Sequence, residues 1–138
     1  MKYKEKAEKA AELKQFHGCN CAQAVAAVLA DETSYSEEEL KKIASGFAVG
    51  MGNMEATCGS LIGAVMIAGI KMDGKGTVRF AKEISQKFQE RTGALICKEI
   101  KGIETGKIVC SCDDCVRNAV LAYGEVMGSL ETSSSQKV

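Results

Sequence analysis

The chain of 138 residues contains no proline and a single histidine. The absence of proline leaves helix interiors unbroken. His17 is the sole candidate base for a cysteine–histidine hydrolase, and no oxyanion-type motif accompanies it. No segment shows sustained two-residue alternation of apolar and polar residues, as a half-buried strand would. These absences favour an all-α fold, a single-domain bundle of five to six helices.

The chain also lacks an excess of either charge and a long apolar run. Its 18 basic and 18 acidic residues cancel, and neither sign forms a block, so nucleic acid is not an expected partner. The longest apolar run, LIGAVMIAGI, has about half the roughly 20 residues that cross a bilayer, which predicts a buried helix and no membrane insertion. The N-terminal stretch lacks the apolar core of a signal peptide. We therefore expect a cytoplasmic protein with reduced thiols.

Apolar residues recur at helical spacing in most of the chain. The pattern predicts helices over 3–16, from Cys21 onward, 36–51, 57–70, 78–93 and 113–128, with a short helix or turn at Cys97. Asn20 with Gln23, and Ser36 with Glu39, have the spacing of capping boxes. We expect one helical domain over residues 1–130 and a flexible, serine-rich tail over 131–138.

Several of the seven cysteines stand where helices are predicted to start. Cys21, Cys58 and Cys115 each fall in a predicted first turn, where unpaired amides and the helix dipole favour a thiolate over a thiol. A lowered thiol pKa makes cysteine a better nucleophile and a better metal ligand. If these helix starts converge, they form a pocket of sulfurs lined by N–H donors.

Two glycines follow Cys58 on the same predicted helix. Gly59 and Gly63 leave one side of the helix nearly bare of side chains. A cofactor could approach closely there, or another helix could pack tightly against the bare side. Both interpretations remain open from the sequence.

Four short motifs together resemble a known family. They are NCAQAV at Cys21, CGSLIG at Cys58, CKEIKG at Cys97 and CVRNAV at Cys115. In this order they resemble the C_GCAxxG_C_C family of redox-active proteins, over the stretch from Cys21 to Ala122. The resemblance implies that Cys21, Cys58, Cys97 and Cys115 are the functional set. Ser60 stands where the family's CGAxxG motif has alanine.

Three chemistries suit four such thiols. They could bind an iron–sulfur cluster, cycle as dithiol and disulfide without a cofactor, or hold a structural zinc ion. The wide spacing of the four is by itself a weak metal signal, because zinc ribbons and ferredoxin loops use close pairs. Inert buried thiols in a non-catalytic module are the remaining alternative. The sequence leaves the redox partner unidentified, and a homodimer is compatible with an apolar helical domain.

Three further cysteines are candidate auxiliary residues. Cys112 and Cys115 form a C-x-x-C pair, preceded by Cys110, and Cys19 lies two residues before Cys21. The C-x-x-C spacing suits a metal clip or a redox pair. Cys19, Cys110 and Cys112 could therefore be auxiliary ligands, resolving thiols or surface residues, and for Cys19 we favour the surface.

Overall fold

A computed structural model describes the backbone of residues 2–137 and the side chains of residues 2–128. Within this part the fold is all-α, as predicted, and the sole β-type pairing is one bridge between Thr57 and Ile96. The helices are α1 Lys2–Phe16, α2 Cys21–Val28, α3 Glu37–Ala44, α4 Gly59–Lys71, α5 Thr77–Thr92, α6 Cys97–Lys101 and α7 Cys112–Lys137.

Local sequence signals set the starts of α2 and α3. The Asn20 side chain accepts from the Gln23 amide at 2.9 Å, and the Gln23 side chain accepts from the Asn20 amide at 3.0 Å. Ser36 and Glu39 make the same reciprocal pair ahead of α3. Each capping box satisfies two amides that a helix start leaves unpaired. Both predicted capping boxes are confirmed.

The core forms around α7, which packs against α1, α4 and α5. Tyr123 and Val120 of this helix are completely buried, together with Phe88 of α5 and Ile67 of α4. The apolar run that the sequence assigns to a buried helix is α4, and no helix in the described part is both long and apolar enough to span a membrane.

Some helix boundaries differ from the sequence prediction. Helix α3 ends at Ala44 rather than Met51, and the left-handed backbone from Val49 onward excludes a continuous helix as far as Met51. Cys58, not Thr57, is the N-cap of α4, since the bridge to Ile96 keeps Thr57 extended. Helix α7 extends past Gly128. The flexible tail over 131–138 and the domain boundary at 130 stay predictions, because side chains beyond residue 128 lie outside the described residues.

Candidate functional site

The four cysteines implied by the resemblance line one cavity of about 240 Å³. Cys21 opens α2, Cys58 caps α4, Cys97 opens α6 and Cys115 lies early in α7, so four separate elements contribute one sulfur each. Cys19 and Cys112 also line this cavity, whereas Cys110 and His17 do not. The helix starts that carry these cysteines therefore converge, as a pocket of sulfurs requires.

Backbone pairing between two loops positions Cys58 and Cys97. The Cys58 amide donates to the Leu95 carbonyl at 2.8 Å, and the Cys97 amide donates to the Ala56 carbonyl at 3.0 Å. These bonds flank the bridge of Thr57 with Ile96. The pairing thus fixes the backbone of Cys58 at the N-cap position of α4.

Gly59 and Gly63 permit close packing of α4. A Cβ atom at Gly59 would lie 2.8 Å from the Phe47 carbonyl oxygen and 3.0 Å from the Cys21 sulfur. A Cβ atom at Gly63 would lie 2.9 Å from the Ala22 carbonyl oxygen of α2. The bare side of α4 is thus covered by protein atoms, and Gly59 also lines the cavity. A cofactor-binding role for the two glycines stays a prediction.

The segment 49–54, of which Val49 lines the cavity, has a strained conformation. Val49, Met51 and Met54 have positive φ angles, as do Gly50 and Gly52. A β-branched residue such as Val49 rarely adopts a φ of 55°. Its backbone amide lowers the pKa of Cys21, against the larger effect of burial. Strain held beside reactive groups is a common feature of functional sites.

Glycine is required at position 50 on two counts. Its φ is 54°, and an added Cβ would lie 2.8 Å from the Cβ of Cys97 and 2.9 Å from the Ala56 carbonyl oxygen. Gly50 therefore lets the segment 49–54 press directly against Cys97. The sequence predicted helix as far as Met51, so the left-handed backbone at Gly50 was not expected.

Cys58 is the cysteine with a stabilised thiolate. A hydrogen bond from the Cys115 thiol, aided by the Ser60 and Leu61 amides at the start of α4, lowers the pKa of Cys58 to about 6 despite its burial. A thiol with this pKa is largely ionised at neutral pH. The Cys115 thiol is the largest cause of this lowered pKa, and the two amides at the helix start contribute less.

The other helix-start cysteines behave differently from the prediction. The hydrogen bond to Cys58, together with burial, raises the pKa of Cys115, because the neutral thiol is the donor. The Cys115 amide is also already paired with the Ser111 carbonyl. Burial raises the pKa of Cys21 and of Cys97, and the Val49 amide only partly offsets this at Cys21. Desolvation outweighs the helix terminus at these positions.

Two features of the cavity carry no clear sequence signal. Lys14 and Lys101 line it, and the Lys101 charge lowers the pKa of Cys97 against the effect of burial. The Ser60 hydroxyl is fully buried and has no hydrogen-bond partner of normal geometry among the described residues. The sulfurs of Cys21 and Cys58 lie beside this hydroxyl, which lowers the pKa of both.

The sulfurs share a cavity without forming a metal centre in their present arrangement. Among the residues whose side chains are described, no three histidine, cysteine or acidic side chains lie close enough together to hold a metal ion. The seven cysteines are free thiols. Within the cavity, Cys58 and Cys115 affect each other's pKa most strongly, since the neutral Cys115 thiol lowers the pKa of Cys58 and its own pKa is raised.

The sequence profile of one protein family matches residues 19–126, which include all seven cysteines. The family is described as "Putative redox-active protein (C_GCAxxG_C_C)". The chain belongs to this family. Comparison with curated proteins and with solved structures gave no match. The family assignment agrees with the resemblance of the four cysteine motifs and supports redox activity of the chain.

Proposed function

We propose that this member of the C_GCAxxG_C_C family is a thiol–disulfide redox protein whose active dithiol is Cys58 and Cys115. The observation that carries the proposal is that Cys58 of α4 and Cys115 of α7 line one cavity where these two helices pack together, and that the neutral Cys115 thiol lowers the pKa of Cys58. One sulfur is thus prepared for nucleophilic attack, and the other keeps a proton for a leaving group. The proposal places the protein in a reducing compartment such as the cytoplasm.

The substrate class is a disulfide, R–S–S–R′, of a small molecule or a protein. The Cys58 thiolate attacks one sulfur, which forms a mixed disulfide with R and expels R′S⁻. The Cys115 thiol gives its proton to that leaving group and then attacks the Cys58 sulfur, which expels RS⁻. The substrate gains two electrons and becomes two thiols, while the protein becomes the Cys58–Cys115 disulfide.

The remaining cavity residues support this reaction. The amides of Ser60 and Leu61 at the start of α4 help to lower the pKa of Cys58. Lys14 and Lys101 bring positive charge to the cavity in which anionic thiolates form. Cys21 and Cys97, whose pKa values are raised by burial, stay protonated at neutral pH beside the active pair.

The test uses serine variants and glutathione disulfide as the substrate. Reduced, oxygen-free protein should form the Cys58–Cys115 disulfide, which alkylation and peptide mass mapping would identify. C58S should lose the reaction, and C115S should accumulate one glutathione on Cys58, because the resolving thiol is absent. C19S serves as the matched control, since it removes a cavity cysteine outside the pair. Formation of the disulfide at the same rate in C58S would overturn the proposal.

A metal centre on Cys21, Cys58, Cys97 and Cys115 is the second candidate. The observation that favours it is that four elements direct four cysteines to one cavity. Iron–sulfur clusters and structural zinc both accept four thiolates, but here the sulfurs would have to move closer together. Elemental analysis after anaerobic purification tests this candidate. Stoichiometric iron with acid-labile sulfide, or stoichiometric zinc, would replace the dithiol as the resting state.

A further inference from the structure

The fixed charges that line the cysteine cavity are of one sign. Apart from the thiols, the charged side chains among its described lining residues are Lys14 and Lys101, and none is acidic. The Lys14 ammonium group lies 3.4 Å from the carboxylate of Asp113, which is outside the cavity lining and also accepts from the Gln15 side chain. Lys14 therefore already has a counter-charge.

Lys101 differs from Lys14 in this respect. The carboxylates of Glu55 and Glu104 lie 3.1 and 3.5 Å from the ammonium group of Lys98, one turn earlier on α6. Within the part of the chain whose side chains are described, Lys101 makes no ion pair, and it is half-buried. A cleft lined by uncompensated positive charge concentrates anions. The wall at Lys101 thus favours an anionic occupant.

The cavity also restricts the size of that occupant. Cys58 and Cys115 are only 7% and 2% exposed, so the disulfide of a folded protein surface does not reach them directly. A volume of about 240 Å³ is smaller than the roughly 300–1,000 Å³ of most drug-sized ligand pockets. The fully buried Ser60 hydroxyl in the lining has no hydrogen-bond partner of normal geometry among the described residues, and a small molecule in the cavity would supply one.

We propose that the substrate of the Cys58–Cys115 dithiol is a small disulfide that carries a carboxylate group, and that Lys101 binds this carboxylate. The inference rests on the proposed function. In the reaction, the Cys58 sulfur bonds to one substrate sulfur, and the other leaves as a thiolate that takes the Cys115 proton. Attack of Cys115 on Cys58 releases the second half as a thiolate, which takes a proton from water. The substrate gains two electrons and the dithiol loses two.

Lys101 then selects substrates by their charge. The Cys58 thiolate repels an approaching carboxylate, and the Lys101 ammonium group offsets this repulsion by pairing with it. A neutral disulfide feels neither interaction. The inference therefore predicts that loss of Lys101 slows the reaction of anionic disulfides more than that of neutral ones. A lysine that only stabilised the thiolate would affect all disulfides alike, so the two roles can be distinguished.

The experiment compares three small symmetrical disulfides. Dithiodipropionate is anionic at neutral pH, hydroxyethyl disulfide is neutral and cystamine is cationic. Each rate of oxidation of the reduced protein is divided by the rate of the same disulfide with dithiothreitol, which corrects for intrinsic reactivity. We expect the wild-type protein to prefer dithiodipropionate over hydroxyethyl disulfide by about tenfold, as one charge-assisted hydrogen bond would give. Added sodium chloride should reduce this preference.

K101Q should lose the preference, and K101R, which keeps the charge, should retain it. K98Q is the matched control, because it removes a charge of the same helix that is already paired with Glu55 and Glu104. Equal corrected rates for the three disulfides in the wild-type protein would overturn the inference and leave the proposed function standing. Equal loss with all three in K101Q would also overturn it. If none of the three oxidised the wild-type dithiol, the proposed function itself would be overturned.

Discussion

Two polar clusters in this protein differ in how completely their polar groups are paired. At one, the Glu32 carboxylate is 2% exposed and accepts hydrogen bonds from Lys2 and Lys71 at 2.9 Å each and from Tyr123 at 3.2 Å. Tyr3 donates to the same carboxylate at 3.1 Å. Its partners belong to α1, α4 and α7, so one buried charge ties three helices together.

The cysteine cavity is the second cluster, and its polar groups are incompletely paired. The Ser60 hydroxyl is buried there without a partner of normal geometry in the described part of the chain. The segment 49–54 holds left-handed backbone beside the sulfurs. A satisfied cluster stabilises a fold, whereas an unsatisfied one retains groups that can react. We therefore infer that Glu32 stabilises the fold and that the cysteine cavity carries the reactive groups.

The largest effect should come from breaking the Glu32 cluster. E32Q removes the charge but keeps the shape, which leaves the lysine ammonium groups without their counter-charge. We expect the free energy of unfolding to fall by about 3 kcal/mol, measured by urea denaturation. E38Q is the matched control, because Glu38 pairs with Lys41 on the surface, and its effect should stay within about 0.5 kcal/mol. Equal losses in both variants would contradict the special role of Glu32.

The same cluster predicts how stability depends on pH. Burial alone would raise the pKa of Glu32, but hydrogen bonds from Lys2 and Lys71 outweigh it and lower the pKa from 4.5 to about 2. A carboxyl with a depressed folded pKa stabilises the fold above its unfolded pKa, and this contribution is lost as the pH falls through the folded value. Because Lys2 remains half exposed, we expect a loss of about 2 kcal/mol between pH 5 and pH 2.

Urea denaturation of wild-type protein and E32Q across this pH range measures the Glu32 contribution as the difference between the two curves. The difference should shrink toward acid pH. A constant difference would show that the charge of Glu32 is not what stabilises the fold.

A smaller loss is expected where the cavity meets α4. G59A places a methyl group against the Phe47 carbonyl oxygen and the Ala48 Cα, at 2.8 and 2.9 Å. Such overpacking should lower the free energy of unfolding by about 2 kcal/mol and slow the reaction of Cys58 with glutathione disulfide. In G46A, where an added Cβ meets no atom within 4 Å, stability should stay nearly unchanged. If G59A and G46A have the same free energy of unfolding, α4 does not approach Phe47 and Cys21 as closely as described.

The smallest effect concerns Ser60. Alkylation of Cys58 by iodoacetamide should increase with pH around a midpoint near the Cys58 pKa of about 6. S60A should move this midpoint upward by a fraction of a pH unit, because the nearby hydroxyl dipole lowers the pKa of Cys58. Removing a buried hydroxyl without a partner should leave stability the same or slightly higher. A midpoint that moves downward, or a marked loss of stability, would show that Ser60 serves packing instead.

Parts of the fold that depend on nearby residues were predictable from the sequence. The capping boxes at Asn20 and Ser36 involve groups three residues apart, so their pattern is visible in the chain. The apolar spacing of α4 and α7 likewise reports which face is buried. The four-cysteine set came from the family resemblance, since the intervals between these cysteines match no local metal motif.

Only the tertiary structure decided which cysteines interact and which one is ionised. Cys58 and Cys115 become partners because α4 packs against α7, and a contact between residues so far apart in sequence leaves no periodic trace. All three predicted helix-start cysteines share the same local signal, yet burial raises the pKa of Cys21, the Cys58 sulfur and burial raise that of Cys115, and the Cys115 thiol lowers that of Cys58. The sequence by itself determined the helices and the sulfurs available, whereas packing determined desolvation and sulfur contacts, on which the chemistry depends.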